Sequence, residues 1–259
     1  MRVVVCTKEV PDTAAKVEVT ASGEVTWGDA PLVINPWDEY AVEEAILLMD
    51  KGATGTTVVA VGGETSQEAL KHALAMGIDE AVRVDSDGLA ADSLALSKAL
   101  AGAINKLEDV GLVIMGKETS EGNTGETATM VGRRLGWSTL TYVFKIAEID
   151  FGAGTIKVER LIEDGKQIVE SKLPALISVV KDINDPRYPS FMGIRKASRA
   201  EIPVWSAADV GAGGAAAKVA WEEVYALPPR EGACEILEAD SADAAAAMLA
   251  DKLIEEKVI

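Results

Sequence analysis

Leu112-Val-Ile-Met-Gly-Lys-Glu-Thr-Ser-Glu-Gly-Asn-Thr-Gly-Glu-Thr-Ala-Thr-Met-Val-Gly-Arg-Arg-Leu-Gly-Trp137 is the stretch from which the fold is read. Leu112, Val113, Ile114 and Met115 form a short apolar run without alternation, the pattern of a strand buried on both faces of a sheet. Gly116 ends the run, and a polar loop carrying Gly122 and Gly125 follows. Met130, Val131 and Leu135 then recur at helical spacing, so the chain runs strand, glycine loop, helix. In a parallel sheet that order puts the loop at the carboxyl end of a strand, facing the free N–H groups of the next helix. Glycines there let the backbone approach a ligand, and Asn123, Thr124 and Thr127 add neutral hydrogen-bonding groups. The same residues also compose an ordinary solvated loop with two turn glycines, and loop chemistry alone does not choose between the two.

The pattern repeats toward the N-terminus. Residues 3–6, 57–61 and 80–84 read as further buried strands. Asn35-Pro36 opens a helix, with Asn35 as N-cap, Pro36 at the first helical position and Asp38 and Glu39 in the first turn. Thr65 with Glu68 reads as a capping box before a helix that Gly77 stops, and Asp92 caps a helix ending near Leu107. Residues 17–19 and 24–26 read as a hairpin around Ser22-Gly23. Each strand ends on small or polar residues, Cys6-Thr7, Gly62-Gly63, Ser86-Asp87-Gly88 and Gly116-Lys117, so several loops converge on one crevice at the sheet's carboxyl edge.

Beyond Trp137 the period changes. Residues 143–149, 155–162 and 166–171 alternate and are joined by Gly152-Ala153-Gly154 and Asp164-Gly165, an antiparallel extension, before one more buried strand at 175–180. After Ile183, regular packing signals fade. Pro186, Pro189, Pro203, Gly211-Ala212-Gly213-Gly214 and Pro228-Pro229 read as an extended arm, closed by an alanine-rich helix within 241–259. The expected fold is an open, mostly parallel, doubly wound α/β sheet over residues 1–186 with an antiparallel extension. Residues 187–259 follow as a loop and an extended C-terminal arm of the kind that lies on another body.

At 259 residues the chain can bury a substantial core. Its 25 basic and 42 acidic side chains give a net charge of −17, which argues against nucleic acid and anionic membrane as partners. Cys6 and Cys234 lie far apart with no CxxC, the usage of a reducing compartment rather than a disulfide or zinc framework. The first residues enter a strand without a signal-peptide pattern and no apolar run approaches a membrane span, so a cytoplasmic protein without membrane insertion is expected. A Walker A motif is absent, as is GxGxxG after the first strand. His72 reads as a solvated mid-helix residue, Glu118, Glu121 and Glu126 as loop capping and charge, and Cys6 as a packed thiol. No catalytic or metal-binding set emerges, and the chain reads as a binder of something already reactive.

Val5-Cys6-Thr7-Lys8, Val10-Pro11-Asp12-Thr13, the run from Asn35-Pro36-Trp37-Asp38 to Glu43-Glu44-Ala45, Ala73-Leu74-Ala75-Met76-Gly77 and Leu135-Gly136-Trp137 resemble the β subunit of electron-transfer flavoprotein. The likeness covers nearly the whole chain and is most specific at Val158-Glu159-Arg160, Lys172-Leu173-Pro174-Ala175 and Asn184-Asp185-Pro186-Arg187-Tyr188-Pro189-Ser190. The resemblance implies a sheet of the adenine-nucleotide-binding type in a heterodimer. The α subunit of such a pair carries the redox FAD, while β shelters it and holds a second adenine nucleotide, AMP in most members and FAD in electron-bifurcating ones. It implies an electron carrier between flavoprotein dehydrogenases, such as the acyl-CoA dehydrogenases of fatty acid oxidation, and a further acceptor or donor. By position, the family's nucleotide contacts fall on Cys6, Asn35, Gly62, Gly63, Gly122, Asn123, Thr124, Gly125, Glu126 and Thr127, while Asp92 and Ser93 follow the bifurcating group. The partner-docking loop falls on Pro189, Ser190, Phe191, Met192, Gly193 and Ile194, with Phe191 in the place of an exposed apolar anchor, usually leucine. Leu161 stands where some members carry a glutamate near the redox flavin. The loop from Glu121 to Glu126 follows the bifurcating pattern in register and length, whereas Thr127-Ala128-Thr129 departs from it, and FAD is expected ahead of AMP.

Two other classes compete. Val61-Gly62-Gly63-Glu64-Thr65-Ser66 resembles the phosphate loop of nucleotide-hydrolysing enzymes of the ATP-pyrophosphatase type, but follows a later strand and lacks that loop's Asp. A nucleotide-sensing module of the universal-stress type would have no need of the arm from Tyr188 to Ile259.

Overall fold

Valine, isoleucine and leucine runs build the centre of the molecule, because β-branched side chains pack well on a pleated surface buried on both faces. The structure, a computed structural model, describes residues 1–228, 232 and 234–259, so Pro229 of the expected Pro228-Pro229 break lies outside the described residues. The chain opens with β1 (Arg2–Thr7), the short strands β2 (Glu9–Pro11), β3 (Glu18–Val19), β4 (Val25–Thr26) and β5 (Leu32–Ile34), and then α1 (Pro36–Met49). Alternation follows through β6 (Thr56–Gly62), α2 (Gln67–Met76), β7 (Glu80–Asp85), α3 (Ser93–Lys106), β8 (Val110–Gly116) and α4 (Thr127–Leu135). The long hairpins β9 (Ser138–Asp150), β10 (Thr155–Ile162) and β11 (Gly165–Lys172) lead to β12 (Ala175–Val179), α5 (Phe191–Ala197), β13 (Val204–Trp205) and α6 (Ala242–Glu255).

Among the described residues one sheet of nine strands runs in the order β11-β10-β9-β12-β8-β1-β6-β7-β13. Its members from β9 through β12 to β13 pair in parallel, while β9, β10 and β11 pair antiparallel. The open, mostly parallel α/β sheet with an antiparallel extension is thus the observed architecture, and the hairpin of β3 and β4 is present as expected. Alternate residues of β1 split the core into two layers. Val3 and Val5 pack with Ala41, Leu48 and Leu70 of α1 and α2, whereas Val4 and Cys6 pack with Leu100, Ile104 and Val131 of α3 and α4. From β1 the chain winds outward through β6 and β7, then returns to β8 on the other side of β1. The helices after β1 and β8 therefore leave toward opposite faces, and the crevice between those strand ends is the topological switch point of the sheet.

Three local readings are corrected. The capping box at Thr65 and Glu68 does not form: a 3-10 turn, Glu64–Ser66, precedes α2, and the Thr65 hydroxyl donates instead to Glu9 at 2.6 Å. Residues 191–194 are not loop but the first turn of α5, which Ser190 caps by accepting from the Gly193 N–H at 2.9 Å. Gly193 is no breaker there, since a Cβ on it would lie 2.2 Å from the Ala75 carbonyl oxygen, and its absence lets α5 sit directly on α2. Packing also continues beyond Ile183: Ala197, Ala207, Val210 and Ala212 are buried, and Gly102 of α3 lies so close that a Cβ would fall 1.9 Å from the Val210 carbonyl oxygen.

The chain divides into two compact units, Met1–Val224 and Tyr225–Ile259. The second holds α6, capped by Ser241 accepting from the Ala244 N–H at 3.2 Å, with Lys252 bridging to Glu235 at 3.3 Å. None of the α6 side chains is buried.

Candidate functional site

At the switch point the first turn of α1 lies across the ends of β1 and β8. The buried Asp38 carboxylate accepts from the Lys8 N–H at 2.9 Å, just past β1, and from the Gly116 N–H at 3.2 Å, the last residue of β8. Gly116 is glycine because helix and strand touch: a Cβ would lie 2.5 Å from Asp38 Oδ1 and 2.7 Å from the Trp37 Cβ. Asn35 is completely buried and bonds across the crevice instead of capping α1 with its side chain. Its Nδ2 donates to the Glu118 carbonyl at 2.9 Å, and its Oδ1 accepts from the Ser120 N–H at 3.2 Å. Lys8 pairs with Glu121, and Lys117 pairs with Glu118 at 2.8 Å while its ammonium sits 4.4 Å over the Trp37 ring. The glycine loop is thereby fastened at its base and free at its tip.

That tip carries two left-handed residues, Asn123 (φ 49°) and Gly125 (φ 63°), before α4 starts at Thr127. Gly122, Asn123 and Thr124 are exposed. Two strands over, Gly62 is held against Ser66, whereas Gly63 faces open space, with nothing within 4 Å of where its Cβ would be. Buried polar atoms without a hydrogen-bond partner gather near the same edge: Thr7 Oγ1 at the end of β1, Glu9 Oε2 at the start of β2, and Arg83 Nε in β7. Such atoms are rare in folded proteins and mark places where a bound group or water supplies the partner.

The expected residues do not all lie alike. Asn35, Gly62, Gly63 and the loop from Gly122 to Thr127 stand at the carboxyl edge of β1, β6 and β8. Cys6 packs in the layer of α3 and α4, and burial, with the Asp38 charge second, pushes its thiol far up, so it is a packed thiol. Asp92 caps α3 by accepting from the Ala95 N–H at 2.7 Å, and its other oxygen takes the Lys218 N–H at 2.6 Å. Ser93 begins α3. His72 is half-buried and lies 3.0 Å from Glu39. A cavity of about 580 Å³ lined by Ile149, Thr155, Lys157, Glu170 and Lys172 lies on the antiparallel extension and shares no residue with the crevice. Among the described residues no three His, Cys, Asp or Glu side chains could hold a metal ion, and no helix is long and apolar enough to cross a membrane.

Asp38 is the residue that sequence reading missed. It passed for a charge in the first turn of α1, and only the fold shows it reaching two strand ends. Burial pushes its carboxyl up to about 7, against the pull of the Asn35 side chain, the Lys8 and Gly116 N–H groups and the Thr7 hydroxyl.

The segment from Pro189 to Ile194 exposes Phe191 at 80 % and Met192 at 69 %, and Tyr188 beside it at 95 %. It is fixed from behind. Arg187 gives its backbone N–H, Nε and Nη2 to Glu43 at 3.1, 2.8 and 2.8 Å, and Asn184 donates to the Tyr40 carbonyl and to Glu44 at 3.1 and 3.0 Å. Burial alone would raise the Glu43 carboxyl, but the hydrogen bonds and charge of Arg187 outweigh it and hold Glu43 below its ordinary value of 4.5. The folded state thus binds fewer protons there than the unfolded one. This stabilisation is fully present above about pH 4.5 and is lost as pH falls through the folded value. Glu44, pushed up by burial, titrates in the opposite sense. Hydrogen exchange of residues 184–190 should quicken selectively below about pH 4, and Glu43→Gln should remove that acid step; uniform protection from pH 6 to pH 3 would contradict the pin.

A family profile described as the electron transfer flavoprotein domain matches residues 28–210. The electron transfer flavoprotein subunit beta of Clostridium acetobutylicum is 37 % identical over 211 residues, covering 81 % of this chain and 80 % of that one. The subunit beta of Megasphaera elsdenii is 31 % identical over 275 residues, covering all of both chains. A protein of Acetobacterium woodii named caffeyl-CoA reductase-Etf complex subunit CarD is 33 % identical over 265 residues, again covering all of both. The reading of Gly62-Gly63 as a hydrolase phosphate loop finds no support beside these likenesses, and in the fold that pair follows β6 and leads into a 3-10 turn.

Proposed function

The chain belongs to the electron transfer flavoprotein family as one of its β subunits, and from that premise we propose that it is the nucleotide-holding half of a heterodimer whose α subunit carries the redox FAD. The observation that carries the reading is the switch-point crevice, where the Gly122 to Thr127 loop, Asn35 and the open backbone at Gly63 meet near buried polar atoms that lack partners. These residues fit an adenine nucleotide. The exposed loop tip offers backbone N–H groups and neutral side chains, Gly63 leaves room for close approach, and α4 opens beyond the loop. A flavin bound in the heterodimer supplies the electron chemistry. The residues of this chain bind, orient and shelter it.

FAD is the favoured second nucleotide over AMP, on the register of the loop from Glu121 to Glu126 with the bifurcating pattern. A relative named as part of a caffeyl-CoA reductase-Etf complex supports docking to an acyl-CoA or other flavin dehydrogenase, and the exposed Phe191 and Met192 are the reason for assigning it to Pro189, Ser190, Phe191, Met192, Gly193 and Ile194. The expected setting is cytoplasmic, with electron bifurcation within reach of the heterodimer.

The test is an absorption spectrum of the chain co-expressed with its α subunit, followed by nucleotide identification after denaturation. Two adenine nucleotides per heterodimer are expected, and a single one overturns the reading. Gly125→Val sharpens it. A β-branched residue at φ 63° costs about 1–3 kcal/mol of backbone strain, and its Cβ would meet the Lys117 carbonyl at 3.4 Å. The variant should lose the second nucleotide and keep the redox FAD; unchanged nucleotide content would remove the loop from the site.

A further inference from the structure

We propose that Asp38 is a positioning residue of the crevice that couples occupation by a phosphate-bearing nucleotide to the uptake of one proton. The inference rests on the reading that such a nucleotide occupies the crevice. Asp38 holds the Lys8 and Gly116 N–H groups, and these belong to the strands on either side of the switch point. No other side chain of α1 reaches both strand ends by hydrogen bonds. Its position therefore sets where the first loop and the glycine loop begin.

The surroundings leave its charge without a cation. The Lys8 ammonium is taken by Glu121, and that of Lys117 by Glu118 and the Trp37 ring. On α1 itself Glu39 faces His72 and Glu43 faces Arg187. From β1, Cys6 presents a neutral thiol. Only neutral groups compensate the carboxylate, the Asn35 side chain, the Lys8 and Gly116 N–H groups and the Thr7 hydroxyl, and burial already brings its titration close to neutrality. Phosphate oxygens entering the crevice add negative charge in a site of reduced dielectric, which favours the protonated carboxyl. A protonated Asp38 keeps one oxygen as acceptor and gains a donor. The Thr7 hydroxyl, buried beside the carboxyl and favouring its charged form, has no other side-chain partner and can turn to accept that new hydrogen bond. Occupation and protonation thus favour one another, and by reciprocity the nucleotide binds more tightly as pH falls from the alkaline side toward about 7, levelling off below it.

The experiment is calorimetric titration of the heterodimer, depleted of its second nucleotide, with FAD and separately with AMP. Runs at pH 6, 7, 8 and 9 in buffers of different ionisation enthalpy count the protons. FAD is the cleaner probe because its pyrophosphate diester does not titrate in that range. Uptake of up to about half a proton per site at pH 7, rising toward one at pH 8, is expected, with affinity weakening by up to about tenfold per pH unit above neutrality. Asp38→Asn should flatten both. Binding without proton exchange and without pH dependence overturns the proposal while the nucleotide reading stands, and so does a pH dependence that survives Asp38→Asn. Should neither FAD nor AMP bind at any pH, the nucleotide reading falls and takes the proposal with it. Proton counting on the unaltered heterodimer decides the matter even where the variant folds poorly.

Discussion

Replacing Gly116 with valine should cost the protein about 3 kcal/mol or more and empty the crevice. The new Cβ would lie 2.5 Å from Asp38 Oδ1, 2.7 Å from the Trp37 Cβ and 2.8 Å from the Trp37 carbonyl carbon. Neither side can yield easily. The strand that Gly116 closes is paired on both edges, with β1 and β12, and α1 is packed along it. Overfilling a well-packed contact costs about 1–3 kcal/mol. Pushing Asp38 aside adds about 1–3 kcal/mol by stranding a buried carboxylate away from its two N–H donors. For a unit of this size a loss of about 3 kcal/mol corresponds to a fall of about 6–12 °C in Tm. The same displacement moves Lys8 and the base of the glycine loop, so co-purified nucleotide should be lost as well. A melt of the heterodimer beside nucleotide analysis checks both. Gly63→Ala is the control for the fold, because its Cβ would meet nothing within 4 Å, and its stability should stay within about 0.5 kcal/mol. A Gly116→Val protein with unaltered Tm would refute the contact.

The second large effect belongs to the opposite kind of residue. Phe191 is 80 % exposed in the first turn of α5, beside the exposed Tyr188 and Met192. An apolar side chain displayed that way gains little from water and much from a receiving pocket. Phe191→Ala should leave the melt within about 0.5 kcal/mol, where a core phenylalanine would cost about 3–5 kcal/mol. Docking to the cognate dehydrogenase should weaken by about 2 kcal/mol, roughly thirtyfold. A dehydrogenase-coupled reduction assay run beside a thermal melt separates the two roles. A large loss of Tm with normal coupling would remove Phe191 from the docking surface.

The sheet was legible because its signal is redundant. Val3 to Cys6, Thr57 to Val61 and Leu112 to Met115 are apolar runs bounded by glycine or polar residues, and each appears as a buried parallel strand. Errors fell where one residue had two available partners. Thr65 had the spacing of a cap, but Glu9, which lies far away in sequence, takes its hydroxyl. Asn35 and Asp38 had the profile of helix-start residues, yet both reach across to the glycine loop or its base, over 78 to 85 positions of chain. The α5 helix stayed hidden because Pro186 and Pro189 read as the start of an extended arm. Gly193 is where α5 comes closest to α2, a demand that local sequence does not display. The strand β13 has two residues, too few for any period to show. The position of the loops was therefore readable, whereas the cross-links that fix their geometry are tertiary and were not.

The same sheet has consequences for solubility. A nine-stranded sheet that does not close leaves a row of unpaired backbone groups on its last strand at either side, a template for another chain to extend. Here the two margins are blunted differently. On one side β13 offers only two residues, too short a ledge for a stranger to grip. On the other β11 is eight residues long and exposes Ile168 at 63 %, but it also carries Lys166, Glu170 and Lys172, and Lys157 of β10 is bonded to Glu170 at 2.9 Å. A strand joining there would have to crowd those charges together and strip their water. Neutralising them, by replacing Lys166 and Lys172, would turn that margin from a barrier against fibrous self-association into an invitation to it.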